Sequence, residues 1–386
     1  MNERKERRAV AGWVRSPFWD SLFLLNALWL APILLLISDH SGHTLTRDGI
    51  YLVLTALFWV GHRLGSTYLA YFTTAYRPLL RSQRTRFVLV PIGIALICFA
   101  ILLPPDDAMP VTRAQRVLFL AVLDYLLVTW HFASQHYGLL SLYRLRAGQE
   151  RSAGARRLDR AFALGVGGVL ILGAEVLAGK VAFQPTWLDP VIDPGWLAAV
   201  SQSARAAGTV VVAMAAAVML SFEVRERCPS AARALYIAGV SLMAIAALRM
   251  EFFVFLILWT SQHWIAAMGL STLVAKGDPD PGPSRWYRVW HVLNRRAWPV
   301  LLLLAAASVL LLPVMEVEAI DESGPFYTDR IFGTLGEALR SSPLVPALLA
   351  IGFTTGFVHY AMDRAIFRFS HPEVRMAAKG LLDVSD

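Results

Sequence analysis

Residues 116–143, RVLFLAVLDYLLVTWHFASQHYGLLSLY, form an apolar run long enough to cross a bilayer. A helix of about 20 residues spans a hydrocarbon core of about 30 Å. Comparable runs recur along the whole 386-residue chain. Backbone polar groups have no water to bond in lipid, so repeated spans of this kind predict an all-α, polytopic bundle. The alternation expected of barrel strands is absent. Charged residues make up 17% of the chain, against about a quarter in a soluble domain, and hydrophobic residues 56%.

The apolar segments fall at roughly 18–38, 50–72, 87–103, 116–143, 159–178, 206–222, 232–248, 251–274, 298–314 and 343–365, about ten spans in a single integral-membrane domain covering residues 1–386. The first segment lacks a small-residue cleavage site and reads as a retained span. The pair 232–248 and 251–274 has almost no connection, and a tight turn at Arg249, Met250 and Glu251 is expected between them. Net charge is +8. In a soluble protein that balance would suggest nucleic acid. Here the basic residues sit in short loops and read as topology signals, with no nucleic-acid partner. Residues 4–15, 77–86, 144–160, 225–233, 276–296 and 364–379 are arginine-rich, whereas 39–47, 106–107, 189–193 and 316–337 are sparse or acidic. That alternation puts both termini, residues 1–17 and 366–386, on the cytoplasmic side of an inner membrane. Residues 181–204, with Trp187 and Trp196, read as an interfacial loop, and residues 315–341 as an outer segment with room for a short helix. Two cysteines, Cys98 and Cys228, are too few and too separated for a disulfide framework or a zinc-thiolate site.

Polar groups at bilayer depth mark a pathway, a metal or a reaction site by default. Five histidines fall inside spans: His62, His131, His136, His263 and His359. Their four spans all run from outside to inside in this topology. At about 1.5 Å per residue, four of the five lie within roughly 5 Å in depth, and His136 lies about one turn deeper. Imidazoles facing inward from separate helices are a plausible bundle-core metal site, suited to Fe, Cu, Zn or Ni. A metal would also supply the partner that each buried imidazole needs.

The tripeptide Ser134-Gln135-His136 recurs as Ser261-Gln262-His263, each with a tryptophan shortly before. His131 and Gln135 are i,i+4 and share a face. His136 is turned about 140° from His131 on a regular helix, so either a π-bulge aligns the two or only one is a ligand. The shared tripeptide favours His136. His359 and Asp363 are also i,i+4; Asp363 is either a ligand or orienting group, or an interfacial partner of Arg364 or Arg368. Beside His62, Gly61 and Gly65 allow close helix approach, and Arg63 is expected to snorkel toward the cytoplasm.

At HFASQHYG and SQHW the chain resembles the histidine-bearing spans of integral-membrane non-haem iron enzymes. The Brp/Blh-type carotenoid dioxygenases are nearest in style, and fatty-acid hydroxylases and desaturases are more distant because their paired-histidine boxes are missing. The resemblance covers short pieces of four spans and implies iron and O₂ chemistry, not carotene as the substrate. The expectation is a His-ligated, iron-dependent oxidoreductase acting on a hydrophobic, lipid-like small molecule that enters from the bilayer. Its ligands would be His62, His136, His263 and His359, with His131 and Asp363 as further ligand or orienting groups. Gln135, Tyr137 and Tyr360 would position substrate or donate hydrogen bonds to bound oxygen. An electron-donor protein is a possible partner. The rival readings are a proton- or ion-coupled transporter, a haem-b protein with two axial histidines, and a transferase using His and Asp as general base.

Overall fold

The computed structural model describes residues 12–40, 44–149, 152–174, 194–250, 252–278, 284–315, 335, 338–339, 341–369 and 371–382. Among the described residues the regular structure is entirely helical, with no strand. The principal helices are α1 (Ala27–His40), α2 (Val60–Phe72), α3 (Val90–Leu102), α4 (Arg113–Arg146), α5 (Ala153–Leu164), α6 (Pro194–Arg225), α7 (Ala231–Arg249), α8 (Phe252–Lys276), α9 (Ala297–Met315) and α10 (Val345–Ile366). Among the described residues seven helices are long and apolar enough to cross a membrane, or eight if a bent pair at the start of the chain is counted as one span. The protein is thus a multi-pass helical membrane protein.

The segments expected at 18–38, 50–72 and 159–178 depart from plain spans for local reasons. The first is bent by 50° between Pro17–Leu24 and Ala27–Ile37. Leu25 leaves helical geometry there, at φ −100 and ψ 18. The amide of fully buried Asn26 compensates, donating 2.9 Å hydrogen bonds to the carbonyls of Phe23 and Gln262. A side chain inserted into the backbone ladder is a recognised cause of such kinks. The second contains a π-helical turn, Thr55–Trp59, ahead of the polar run around His62. The third opens into another, Gly165–Leu170, and its end beyond residue 174 lies outside the described residues.

Helix α7 stops at Arg249, and Met250 is extended, at φ −74 and ψ 158. The break expected there is present, with Glu251 itself outside the described residues. Trp196 lies in helix α6, where a loop was expected. The expected outer segment 315–341 lies largely outside the described residues, as do the basic residues at 4–8 and His43.

The chain divides into two compact units. The first is built from Met1–Gly49 and Thr129–Ala266, with Val384–Asp386, and the second from Ile50–Val128 and Ala267–Asp383.

In the first unit α7 packs against α1 and α6. A buried ion-pair cluster pins the helix ends. Arg233 on α7, 1% exposed, pairs with Asp159 on α5 and Glu223 on α6. Arg144 on α4 reaches Asp159 at 3.1 Å and Glu226 at 2.7 Å. Gln149 and the Ser230 backbone N–H donate to Glu223 as well. Both arginines read from sequence as loop charges that signal topology. They are instead buried and multiply bonded, which is what a buried charge requires.

In the second unit α3 lies along α10, and α2 packs on α9 and α10. Cys98, Leu102, Leu120, Leu348, Leu349 and Phe353 form its apolar core, so Cys98 is a packing residue. Gly61 and Gly65 do admit close approach: a Cβ on Gly61 would sit 2.6 Å from the Leu304 carbonyl oxygen, and one on Gly65 2.8 Å from Ser271 Oγ. At the α3–α4 connection Arg116 donates to the carbonyls of Ile101 and Pro104 and pairs with Asp106 at 2.8 Å.

Candidate functional site

Helix α4 is a regular α-helix from Arg113 to Arg146, with no π-bulge between His131 and His136. The two histidines therefore leave on different sides. In the first unit, the face bearing His131 and Gln135 meets His263 on α8. The His131 and His263 rings stand edge to face, with centroids 4.8 Å apart and planes at 78°. Gln135 Oε1 is hydrogen-bonded to His263 Nδ1. Phe132, one residue from His131, stacks on the His263 ring at 3.8 Å and is itself backed by Trp259. One imidazole edge is thus held by an amide and one face by an aromatic ring.

His136 points elsewhere in the same unit. Its Nδ1 lies 2.8 Å from the Tyr236 hydroxyl on α7. Its ring rests where Gly167 has no side chain; a Cβ there would stand 2.8 Å from the imidazole Cδ2. Ser134 Oγ donates back to the Trp130 carbonyl at 2.8 Å, and the next turn of its own helix satisfies it. Tyr137 is half-buried.

In the second unit, His62 on α2 and His359 on α10 form a similar pair. Their centroids are 4.8 Å apart, the planes are at 86°, and both residues are buried. Asp363 Oδ1 lies 3.4 Å from His359 Nδ1, so the carboxylate is turned to the imidazole one helical turn before it. Tyr360, expected to act on substrate, donates from its hydroxyl to Asp124 Oδ1 at 3.0 Å.

Arg63 does not snorkel. It is 8% exposed, and its Nη1 sits 3.4 Å from the Gly352 carbonyl and 3.4 Å from Thr355 Oγ1. Its guanidinium carbon lies 5.1 Å from the Trp59 ring centroid, within cation–π range. A Cβ on Gly356 would lie 3.6 Å from Arg63 Cζ and 3.4 Å from Asp124 Oδ1. Both are ordinary van der Waals distances, so Gly356 packs directly against Arg63 and Asp124.

The donor set in each unit is chemically suited to a borderline transition metal: two imidazoles, with a carboxylate beside one pair and an amide oxygen beside the other. Where Nδ1 of a histidine donates to an oxygen, the lone pair is placed on Nε2, the arrangement usual for a ligating imidazole. Sequence reasoning missed Tyr236, the partner of His136, because a single tyrosine in an apolar helix carries no signal. The adjacent glycines 167 and 168 are the sequence signal for this approach: Cβ atoms there would stand 2.8 Å from His136 Cδ2 and 2.9 Å from Ala133 Cβ.

The fold defines a multi-pass helical membrane protein with histidine rings paired between its helices. Beyond that class, no family model, no curated protein and no solved structure matches the chain.

Proposed function

We propose that the chain is a membrane-embedded, His-ligated metalloenzyme, a non-haem iron-dependent oxidoreductase of the oxygenase, hydroxylase or desaturase type. Its ligands are drawn from His131 and His263 and from His62 and His359. The observation that carries this reading is the recurrence of edge-to-face imidazole pairs at 4.8 Å, one in each unit. His62, His263 and His359 are buried and His131 is half-buried, and an imidazole in an apolar bundle needs a polar partner. In each pair one ring has its Nδ1 beside an oxygen, from Gln135 or Asp363. Asp363 serves His359 as an orienting carboxylate. His136 takes its partner from Tyr236 and stands outside the ligand set.

When bound, iron would supply O₂ activation. The protein's own residues hold the rings in one tautomer, exclude water and admit a hydrophobic, lipid-like substrate from the bilayer, with electrons delivered by a donor protein. The likeness to Brp/Blh-type spans supports iron over other metals. The same reading takes the chain across the inner membrane ten times with both termini cytoplasmic, supported by the alternation of basic and acidic loops.

Metal analysis and an absorption spectrum on purified protein test the proposal. Stoichiometric iron without a Soret band is expected after iron-replete growth. The double variants His131→Ala/His263→Ala and His62→Ala/His359→Ala should each lose metal while remaining folded. Folded wild-type protein that purifies metal-free refutes the reading, and a Soret band replaces it with a haem protein. Reporter fusions after each predicted span check the topology.

A further inference from the structure

The repeated tripeptide has a counterpart in three dimensions. Gln135 of the first copy holds His263 of the second through a direct hydrogen bond. In the reciprocal direction, Gln262 of the second copy and His136 of the first line one small cavity, together with Leu24, Tyr236, Val240 and Met243. Each glutamine is thus paired with the histidine of the other copy. One exchange is closed by contact, and the other is separated by a gap.

The gap has the size and chemistry of one water. Its volume is about 10 Å³, close to the least that admits a water molecule. His136 Nε2 and Gln262 Oε1 are buried without a hydrogen-bond partner among the described residues, on side chains 1% and 3% exposed. His136 Nδ1 is already engaged by Tyr236, so the ring cannot turn to relieve Nε2 without breaking that bond. The Gln262 backbone is likewise fixed, since its carbonyl accepts from Asn26 Nδ2 at 2.9 Å. Leaving both atoms dry would forfeit the hydration each gives up on burial with nothing in return.

We infer that a single water molecule occupies this cavity, hydrogen-bonded to His136 Nε2 and donating to Gln262 Oε1. Water satisfies both atoms whichever tautomer His136 adopts, because it donates and accepts. A cation would find two ligand atoms among apolar walls, too few to replace its hydration shell. The inference goes beyond the metal reading and does not depend on it: metal content fails or succeeds independently of density in this cavity.

The test is a crystallographic or cryo-EM map of the wild-type protein at about 2 Å. A water-strength peak is expected about 2.7–3.2 Å from both His136 Nε2 and Gln262 Oε1. Three results would overturn the inference: no peak where other internal waters are resolved, a peak with transition-metal anomalous signal, or direct contact between the two side chains. In Gln262→Met the peak should vanish while the His136–Tyr236 contact remains; persistence of the peak would also overturn the assignment. The wild-type map decides the question alone if that variant does not fold.

Discussion

Replacing Gly61 by alanine tests the packing that positions His62. In an unencumbered helix, Gly→Ala gains about 1 kcal/mol in helix propensity. At Gly61 the new Cβ would stand 2.6 Å from the Leu304 carbonyl oxygen and 3.1 Å from both its carbonyl carbon and Met268 Sδ. A thioether can swing aside, but a backbone carbonyl inside α9 cannot. Reaching an ordinary 3.4 Å contact requires α2 and α9 to part by about 0.8 Å (3.4 − 2.6), a gap large enough to forfeit much of the dispersion energy along the seam. Overpacking of this kind costs about 1–3 kcal/mol, with an immobile obstacle favouring the upper half. After the propensity gain, Gly61→Ala should lose about 1–2 kcal/mol. Gly93→Ala on α3 is the control, since nothing lies within 4 Å of its Cβ position. Thermal unfolding in detergent should move the two midpoints in opposite directions, down for Gly61→Ala and unchanged or up for Gly93→Ala. If Gly61→Ala melts at or above wild type, the close approach of α2 to α9 is not as described.

Other substitutions probe the polar contacts. Tyr236→Phe removes the partner of His136 Nδ1 and should cost about 1–3 kcal/mol in a denaturant titration. Arg233→Met leaves Asp159 and Glu223 without their shared cation; breaking a buried pair costs about 3–5 kcal/mol, and a loss under about 1 kcal/mol would show the cluster to be hydrated. Asp106 gives a pH signature: the hydrogen bond from Arg116 holds its carboxyl below the ordinary 3.8. A depressed carboxylate stabilises the folded state above the unfolded pKa and loses that contribution as pH falls through the folded one. Wild type should therefore lose its advantage over Asp106→Asn as the melting midpoint is followed from pH 6 to below 3.8.

Helix content and membrane class were legible because long apolar runs leave the backbone one economical solution in lipid. The stop after Arg249 and the close approach at Gly61 were also legible, each being a local property of a few residues. The π turns were not, because the extra residue in such a turn leaves the apolar pattern nearly unchanged. For the candidate site, sequence supplied the histidines and the i,i+4 companions Gln135 and Asp363. It did not supply the direction of His136: the repeated tripeptide suggested equivalent roles, whereas a regular α4 turns His131 toward His263 and His136 toward Tyr236. Arg63 shows the same limit. A long cation inside a span reads as snorkelling, whereas the tertiary neighbours Gly352 and Thr355, with Trp59 one turn earlier, hold it inside.

The widened turn Thr55–Trp59 directly precedes the helix that bears His62. It absorbs one surplus residue within a single wide turn, so the helix downstream keeps its angular phase. Deleting a single position from that turn would restore an unbroken α-helical ladder and leave His62 on the face it already occupies, whereas the same deletion within α2 ahead of His62 would swing the ring around the axis by about 100°. The segment is in effect an expansion joint: the chain can lengthen or shorten by one residue there without re-aiming the imidazole.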